Sequence, residues 1–125
     1  MPFKYDYEPV SKTINIRMFG ETTVPEILKY CRVGDGVVPE IIVVHLEKVD
    51  NFLFNSDEAS IIPVYYKNFK ERKNIKGTVL VASSDLHFGV ARMFQILFEI
   101  NNEDDIFIVN SENEAINLVK EELLT

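Results

Sequence analysis

The sequence predicts an α/β fold whose mainly parallel sheet carries an antiparallel hairpin at its N-terminal edge. A buried strand over Thr78–Ala82 passes through a polar turn, Ser83–Asp85, directly into a helix over about Leu86–Ile100, which is the building unit of α/β proteins. Strand and helix patterns also alternate along the chain in the order ββαβαβαβα, and strands separated by helices pair in parallel. The 125 residues are enough for one domain with a hydrophobic core.

The first two strands are predicted to form the hairpin. Phe3–Tyr7 is a short alternating segment typical of an edge strand. Thr13–Phe19 alternates apolar with polar residues, which is typical of a half-buried strand, and Gly20 is predicted to end it.

A helix and a fully covered strand follow. Thr23–Glu26 reads as a capping box, which opens a helix that runs to about Arg32. The helix is expected to bury three side chains: Ile27, Leu28, Cys31. Glu40–Leu46 is an almost continuous apolar run rich in β-branched residues, which indicates a strand covered on both faces.

The next stretch predicts a packed loop and a helix that contains a proline. Glu47–Asn55 is expected to be a loop held down by its apolar side chains: Val49, Phe52, Leu53, Phe54. Ser56 is the expected N-cap of a helix that reaches about Arg72. Pro63 removes a backbone hydrogen bond, so either the helix kinks there or it starts near Ile61 with Pro63 in its first turn.

The C-terminal part predicts two further strands and a final helix. Gly77–Ser83 and Asp105–Val109 are short apolar strands, and Ser111–Glu114 is a second capping box. The helix that it opens has a predicted apolar face: Ala115, Ile116, Val119, Leu123.

The helix after Ser84 carries the candidate binding surface. A helical wheel predicts one narrow polar stripe on an otherwise buried helix: Asp85, Phe88, Arg92, Gln95, Glu99. Gly89 lies at its margin and costs about 1 kcal/mol against alanine, which predicts close approach of another backbone or a ligand. An aromatic side chain among polar residues also predicts a contact. The predicted partner or ligand surface is therefore Ser83, Ser84, Asp85, Phe88, Gly89, Arg92.

A purely structural interpretation of the same residues stays open. Gly89 would then let the helix pack on a neighbouring element, and Arg92 would pair with Glu99 or a loop carboxylate.

Composition excludes several classes of function. The net charge of −7 lies in the segment 99–125, and an acidic end argues against nucleic acid, which needs a basic face. The basic cluster over 67–76 is a weak anion site or, more simply, a solvated helix end. No apolar run is long enough to span a membrane. A single cysteine and no signal-peptide pattern lead us to expect a cytoplasmic protein.

Recognisable catalytic groups are missing from the sequence. No glycine-rich phosphate loop follows a strand, no spacing of His45 and His87 suggests a metal, and no cofactor is expected. A Ser83 or Ser84 nucleophile with His87 as its base is conceivable, but the sequence specifies neither an orienting carboxylate nor an oxyanion site.

Residues 78–95, TVLVASSDLHFGVARMFQ, resemble the strand–turn–helix signature of bacterial SpoIIAA-like, or STAS-like, proteins. That signature has a Ser-Asp-Leu turn followed by Gly-x-Ala-Arg-Met and an aromatic residue. Asn110–Ala115 is similar to the start of the last helix in the same proteins. The resemblance covers the whole chain in element order and implies the STAS-type βα superhelix.

The resemblance also implies a comparison with anti-sigma factor antagonists, which carry a phosphorylatable Ser or Thr at the start of the helix after the second core strand. Phe54–Glu58 occupies that region and lacks the Asp-Ser-Ser-Gly pattern. Ser56 is thus a weak candidate phosphoacceptor. His45 stands where SpoIIAA-like proteins usually have Asp, which favours a partnered core histidine.

These observations predict a non-catalytic STAS-like module that binds a protein partner or forms a homodimer. One alternative is a carrier of a small lipophilic ligand, with a dry cavity lined by aromatic side chains: Phe52, Phe54, Tyr65, Phe69, Phe94. A weaker alternative is a hydrolase that uses the Ser83–His87 turn.

Overall fold

The computed structural model describes residues 3–30, 39–73, 75–101 and 105–123. The elements in chain order are β1 (Phe3–Glu8), β2 (Thr13–Thr22), α1 (Val24–Tyr30), β3 (Ile41–Phe52), α2 (Ser56–Ala59), α3 (Ile62–Lys73), β4 (Gly77–Val81), α4 (Asp85–Ile100), β5 (Ile106–Val109), α5 (Glu112–Leu118) and a π-helical segment over Val119–Leu123.

The five strands form one sheet in the order of the chain, β1 to β5. β1 pairs with β2 antiparallel, and each later strand pairs in parallel with the strand before it. The predicted α/β fold with an antiparallel N-terminal edge is confirmed.

Helices cover the two faces of the sheet unequally. One face packs against α1, α3 and α4 and contains the larger core. The other face packs against α5 through a small cluster: Ile41, Val43, Val79, Val81, Ala115, Val119. On this second face, α5 contacts β4 and β5. The part of the face that β1 and β2 form presents polar side chains such as Asn15 and Arg17.

The predicted loop over Glu47–Asn55 is wrong at its start, because β3 continues to Phe52. β2 likewise passes Gly20 and ends at Thr22, so the two strands support each other through backbone pairing. Gly20 adopts a positive φ of 70° beside a register shift between the two strands. Only glycine takes this conformation without strain, so Gly20 bends the strand rather than ending it.

The helical region after β3 is divided in two. Asn55, and not Ser56, is the N-cap of α2, because its side chain accepts from the Glu58 amide at 2.9 Å and its own amide donates to Glu58 at 3.0 Å. α3 then starts at Ile62 and places Pro63 in its first turn, where a missing amide proton costs no helical hydrogen bond. The second of the two predicted arrangements around Pro63 is thus confirmed.

Both predicted capping boxes form with altered partners. The Thr23 hydroxyl accepts from the Glu26 amide at 3.4 Å and donates to the Glu26 carboxylate at 2.8 Å. Ser111 caps the Glu114 amide at 3.2 Å, while the Glu114 carboxylate accepts from the amide of Asn110 at 2.8 Å.

The apolar face of the last helix is narrower than predicted. Ala115 and Val119 are buried, whereas Ile116 is exposed. Cys31, Arg32 and the side chain of Leu123 lie outside the described residues. In the described ranges no helix has both the length and the apolar character to cross a membrane.

Candidate functional site

Ser84 and His87 fix the start of α4. Ser84 is the N-cap, and its hydroxyl accepts from the His87 amide at 3.3 Å. The buried His87 ring lies with Nε2 2.8 Å from the carbonyl oxygen of Val49 and Nδ1 2.8 Å from the Ser84 hydroxyl. A carbonyl can only accept, so Nε2 carries the proton and the Ser84 hydroxyl donates to Nδ1. The pair therefore ties α4 to β3.

The structure thus brings together Ser84 and His87, the pair that the sequence offered as nucleophile and base. The group that orients His87 is the Val49 carbonyl rather than a carboxylate. A neutral carbonyl stabilises an imidazolium less than a carboxylate does, so the arrangement resembles an anchored cap more than an activated serine. Ser83 is exposed next to it.

The outer side of α4 is more exposed than the helical wheel predicted. All six residues of the predicted surface are exposed and lie around the first half of the helix: Ser83, Ser84, Asp85, Phe88, Gly89, Arg92. The prediction that α4 is buried around most of its circumference is wrong. Its buried residues form one stripe, His87, Ala91, Phe94 and Phe98. Four large apolar side chains are instead 43–72% exposed: Leu86, Phe88, Ile96, Ile100.

Gly89 does not provide close packing inside the molecule. A Cβ atom added there meets nothing within 4 Å, so the predicted approach of a neighbouring backbone is wrong for this chain on its own. Arg92 donates to the side-chain oxygen of Gln95 rather than pairing with Glu99. Gln95 in turn donates to the carbonyl of Ile106 at 2.9 Å, which orients the polar side of α4.

The predicted aromatic cavity is closed. The rings of Phe52 and Phe54 lie 5.9 Å apart and those of Phe54 and Phe94 5.8 Å apart. The space beside Phe52 and Phe94 is about 30 Å³, which holds only about one or two water molecules. Tyr65 is exposed, and the side chain of Phe69 lies outside the described residues. Among the described side chains, the rings of Phe52, Phe54 and Phe94 pack together and leave no ligand-sized space; the carrier alternative itself stays a prediction.

Larger depressions lie on the α5 face, where sequence reasoning placed nothing. A groove of about 360 Å³ runs between the β1–β2 turn and α5, and a second cavity of about 460 Å³ lies beside the middle of β2 and β3. Both are lined by His45 and Glu112. We call the two together the His45 trough.

His45 is a partnered, buried histidine, as predicted, with 4% of its side chain exposed. Nε2 lies 3.0 Å from the amide oxygen of Asn15, and Nδ1 lies 3.6 Å from the Glu47 carboxylate. Burial, and then the nearby Arg17 guanidinium, lower the pKa of His45 from its usual value of 6.5. Both effects favour the neutral ring over the imidazolium.

Arg17 and Glu112 close one side of the trough. They form an ion pair of 2.8 Å between β2 and α5, and the Arg17 hydrogen bond lowers the pKa of Glu112. Within the described ranges, no group of three or more His, Cys, Asp or Glu side chains could hold a metal ion. Ser56, the weak candidate phosphoacceptor, is exposed at the first position of α2; its modification stays a prediction.

No protein-family model and no curated protein matches the sequence. Solved structures that are similar in fold include the following two. One is described as "Structure of the Anti-Sigma Factor Antagonist SpoIIAA in its Unphosphorylated Form"; its TM-score is 0.62 at 17% identity, over 95% of this chain and 98% of that chain. The other is an uncharacterized DUF3478 protein with a SpoIIAA-like fold from Shewanella loihica PV-4. Its TM-score is 0.55 at 9% identity, over 94% and 91% of the two chains. The predicted SpoIIAA-like fold is confirmed.

Proposed function

We propose that this chain is a non-catalytic, cytoplasmic module that binds a protein, either a different partner or a second copy of itself, through the outer side of α4. The observation that carries the proposal is the exposure of Leu86, Phe88, Ile96 and Ile100 on one helix. Large exposed apolar side chains that lie on the solvent side of one helix offer apolar area that a partner can bury. The SpoIIAA-like fold supports the proposal, because SpoIIAA is described as an anti-sigma factor antagonist.

The composition of this surface also fits a protein contact. Aromatic side chains and arginine are enriched at the centres of interfaces, and Phe88 and Arg92 lie one turn apart on the exposed side of α4. Ser83, Ser84 and Asp85 would supply a polar rim at the start of the helix. We define the α4 surface as the following residues: Ser83, Ser84, Asp85, Leu86, Phe88, Gly89, Arg92, Ile96, Ile100.

The hydrogen bonds of the Ser84–His87 pair support a non-catalytic role. The Ser84 hydroxyl caps the helix, His87 Nδ1 accepts from that hydroxyl, and His87 Nε2 donates to Val49 and holds α4 on β3. We expect a fluorophosphonate probe to leave Ser84 unlabelled. Stoichiometric labelling of Ser84 would favour the hydrolase alternative.

Phe88→Asp combined with Ile96→Glu is expected to weaken association about tenfold or more, because it places charges at the centre of an apolar contact. Sedimentation over a concentration series would measure self-association, and quantitative capture from the source cell lysate would measure binding of other proteins. The melting temperature should stay close to that of the wild type, since both side chains point outward.

Tyr5→Asp is the matched control. Tyr5 is as exposed as Phe88 but lies on the edge strand β1, away from α4. Equal association by wild type, the α4 variant and the Tyr5 variant would show that the α4 surface is not the binding site.

Gly89→Ala is expected to raise the free energy of unfolding by about 1 kcal/mol, since alanine is the better helix former and the added Cβ meets nothing within 4 Å. If a partner approaches α4 closely at this point, the same variant binds more weakly although it folds more stably. Urea denaturation and the binding assays above measure the two effects separately. Unchanged binding would place Gly89 outside the contact.

A further inference from the structure

The two edge strands of the sheet differ in their side chains. β1 and β5 lie at opposite ends of the strand order, so each has one side without a described neighbouring strand. β1 carries three charged residues, Lys4, Asp6 and Glu8, and charges on an edge strand oppose pairing with another chain. β5, over Ile106–Val109, reads Ile-Phe-Ile-Val and has neither a charge nor a proline. The β5 edge therefore lacks the side chains that keep sheet edges apart.

The pairing of β4 with β5 determines which backbone groups of the edge face outward. The amide of Ala82 donates to the carbonyl of Val109 at 2.9 Å. In a parallel pair, alternate residues bond the same neighbouring strand, so Phe107 and Val109 turn their backbone groups toward β4. The backbone groups of the residues between and after them consequently point away from the sheet: Ile106, Ile108, Asn110.

Two of these outward groups are bonded by side chains, which take the place of a further strand. Gln95 on α4 donates from its side-chain nitrogen to the carbonyl of Ile106 at 2.9 Å. The Glu114 carboxylate on α5 accepts from the amide of Asn110 at 2.8 Å. Between them, the amide and the carbonyl of Ile108 have no hydrogen-bond partner among the described residues. The Ile108 side chain is partly exposed, so a second strand can approach its backbone.

We propose that two copies of this chain pair their β5 strands antiparallel about Ile108 and join their sheets into one. Across a two-fold axis at Ile108, the amide of each copy donates to the Ile108 carbonyl of the other. The same register places Ile106 opposite Asn110. The carbonyl that Gln95 bonds in the single chain then meets the amide that Glu114 bonds. The outward groups of this edge are therefore complementary to those of a second copy.

The side chains of β5 are compatible with this pairing. Phe107 of each copy faces Val109 of the other on the α5 side of the sheet, and aromatic and β-branched residues form favourable cross-strand pairs. The stretch from Ile106 to Asn110 has no charge. The two Glu114 carboxylates lie beside Asn110 residues that are four positions apart along the joined strands. This separation is roughly 13 Å, which exceeds the Debye length of about 8 Å at physiological salt.

NMR of the wild-type protein tests the pairing directly. In an equal mixture of isotope-labelled and unlabelled chains, we expect an intermolecular NOE between the α-protons of Phe107 and Val109. Residues in a non-hydrogen-bonded antiparallel pair have Cα atoms only about 4.5 Å apart. Dilution from about 1 mM to about 10 µM should speed hydrogen exchange of the Ile108 amide as the dimer dissociates. The Val109 amide bonds β4 within the chain, so its exchange should change much less.

Ile108→Lys is expected to raise the dissociation constant of the dimer about tenfold or more, because it places two like charges opposite each other on the axis. The lysine keeps an aliphatic stem against the core. Ile116→Lys is the matched control, since Ile116 is exposed on α5 and lines the groove toward the β1–β2 turn. Sedimentation over a concentration series measures both constants, and the melting temperature shows that each variant is folded.

A monomer at about 1 mM, a dimer without the Phe107–Val109 NOE, or equal dissociation constants for the Ile108 and Ile116 variants overturns the inference. None of the substituted residues belongs to the α4 surface, so these results leave the proposal for that surface intact. A dimer that Phe88→Asp with Ile96→Glu dissociates and Ile108→Lys does not would place self-association on α4 and not on β5.

Discussion

Replacing Tyr66 by alanine is expected to lower the free energy of unfolding by about 3–5 kcal/mol, the range measured for removing large buried side chains. Tyr66 is fully buried on α3, and its ring lies 4.9 Å from that of Phe98 on α4. Its hydroxyl accepts from Thr78 at 2.9 Å and donates to Asp105 at 3.1 Å. One side chain therefore connects two helices, β4 and the residue that precedes β5.

Urea unfolding followed by circular dichroism would measure the loss. Small domains are stable by only about 5–15 kcal/mol, so the Tyr66 variant should show a large shift in midpoint. Tyr66→Phe should cost about 1–3 kcal/mol, because it keeps the ring but leaves buried polar groups without the hydroxyl. Tyr65→Ala is the control, since Tyr65 is 45% exposed on the same helix. Similar losses for Tyr65 and Tyr66 would contradict this assignment of the core.

Element order was predictable because it depends on local periodicity. The apolar run at Ile41–Leu46 and the capped helix after Ser84 report burial and helix start directly. The end of β3 was not predictable in the same way. Glu47 and Lys48 are exposed in the strand. Their place there depends on backbone pairing with β2, which the hydrophobicity pattern of the sequence does not reveal.

The exposure of α4 shows a second limit of the sequence. Its pattern indicated which residues are apolar, and a helical wheel assigns such residues to a core. Leu86 and Ile100 are exposed because only one side of α4 contacts the sheet. An apolar residue that contacts another protein and an apolar residue that packs inside its own chain produce the same hydrophobicity pattern in a sequence.

The His45 trough had no local motif from which it could be predicted. Arg17 and Glu112 are 95 positions apart and meet only through the sheet topology. Two signals existed. Asn15 and Arg17 alternate with apolar residues along β2, and His45 interrupts an otherwise apolar strand. Each signal alone is compatible with an ordinary half-buried strand, and their combination becomes informative only when β2 and β3 are paired in register.

His87→Ala is expected to lower the free energy of unfolding by about 2–4 kcal/mol, combining a buried cavity with a carbonyl left without its donor. The ring fills space beside Phe52, at a centroid distance of 6.2 Å, and donates to Val49 on β3. Ser84→Ala removes only the cap and should cost about 1 kcal/mol. The effects are measured by urea unfolding, with hydrogen exchange of the α4 amides as a local readout.

The comparison of these two variants decides what holds the α4 surface in place. If His87 anchors the helix to β3, the contact with β3 and the Ser84 cap are separate restraints on the helix start. His87→Ala should then speed amide exchange over the first turns of α4 more than Ser84→Ala does. Equal effects would mean that the cap alone orders the helix start. In the first case, the side chains that we propose as a binding surface are positioned by a histidine beneath them, which explains a buried polar ring in an apolar core.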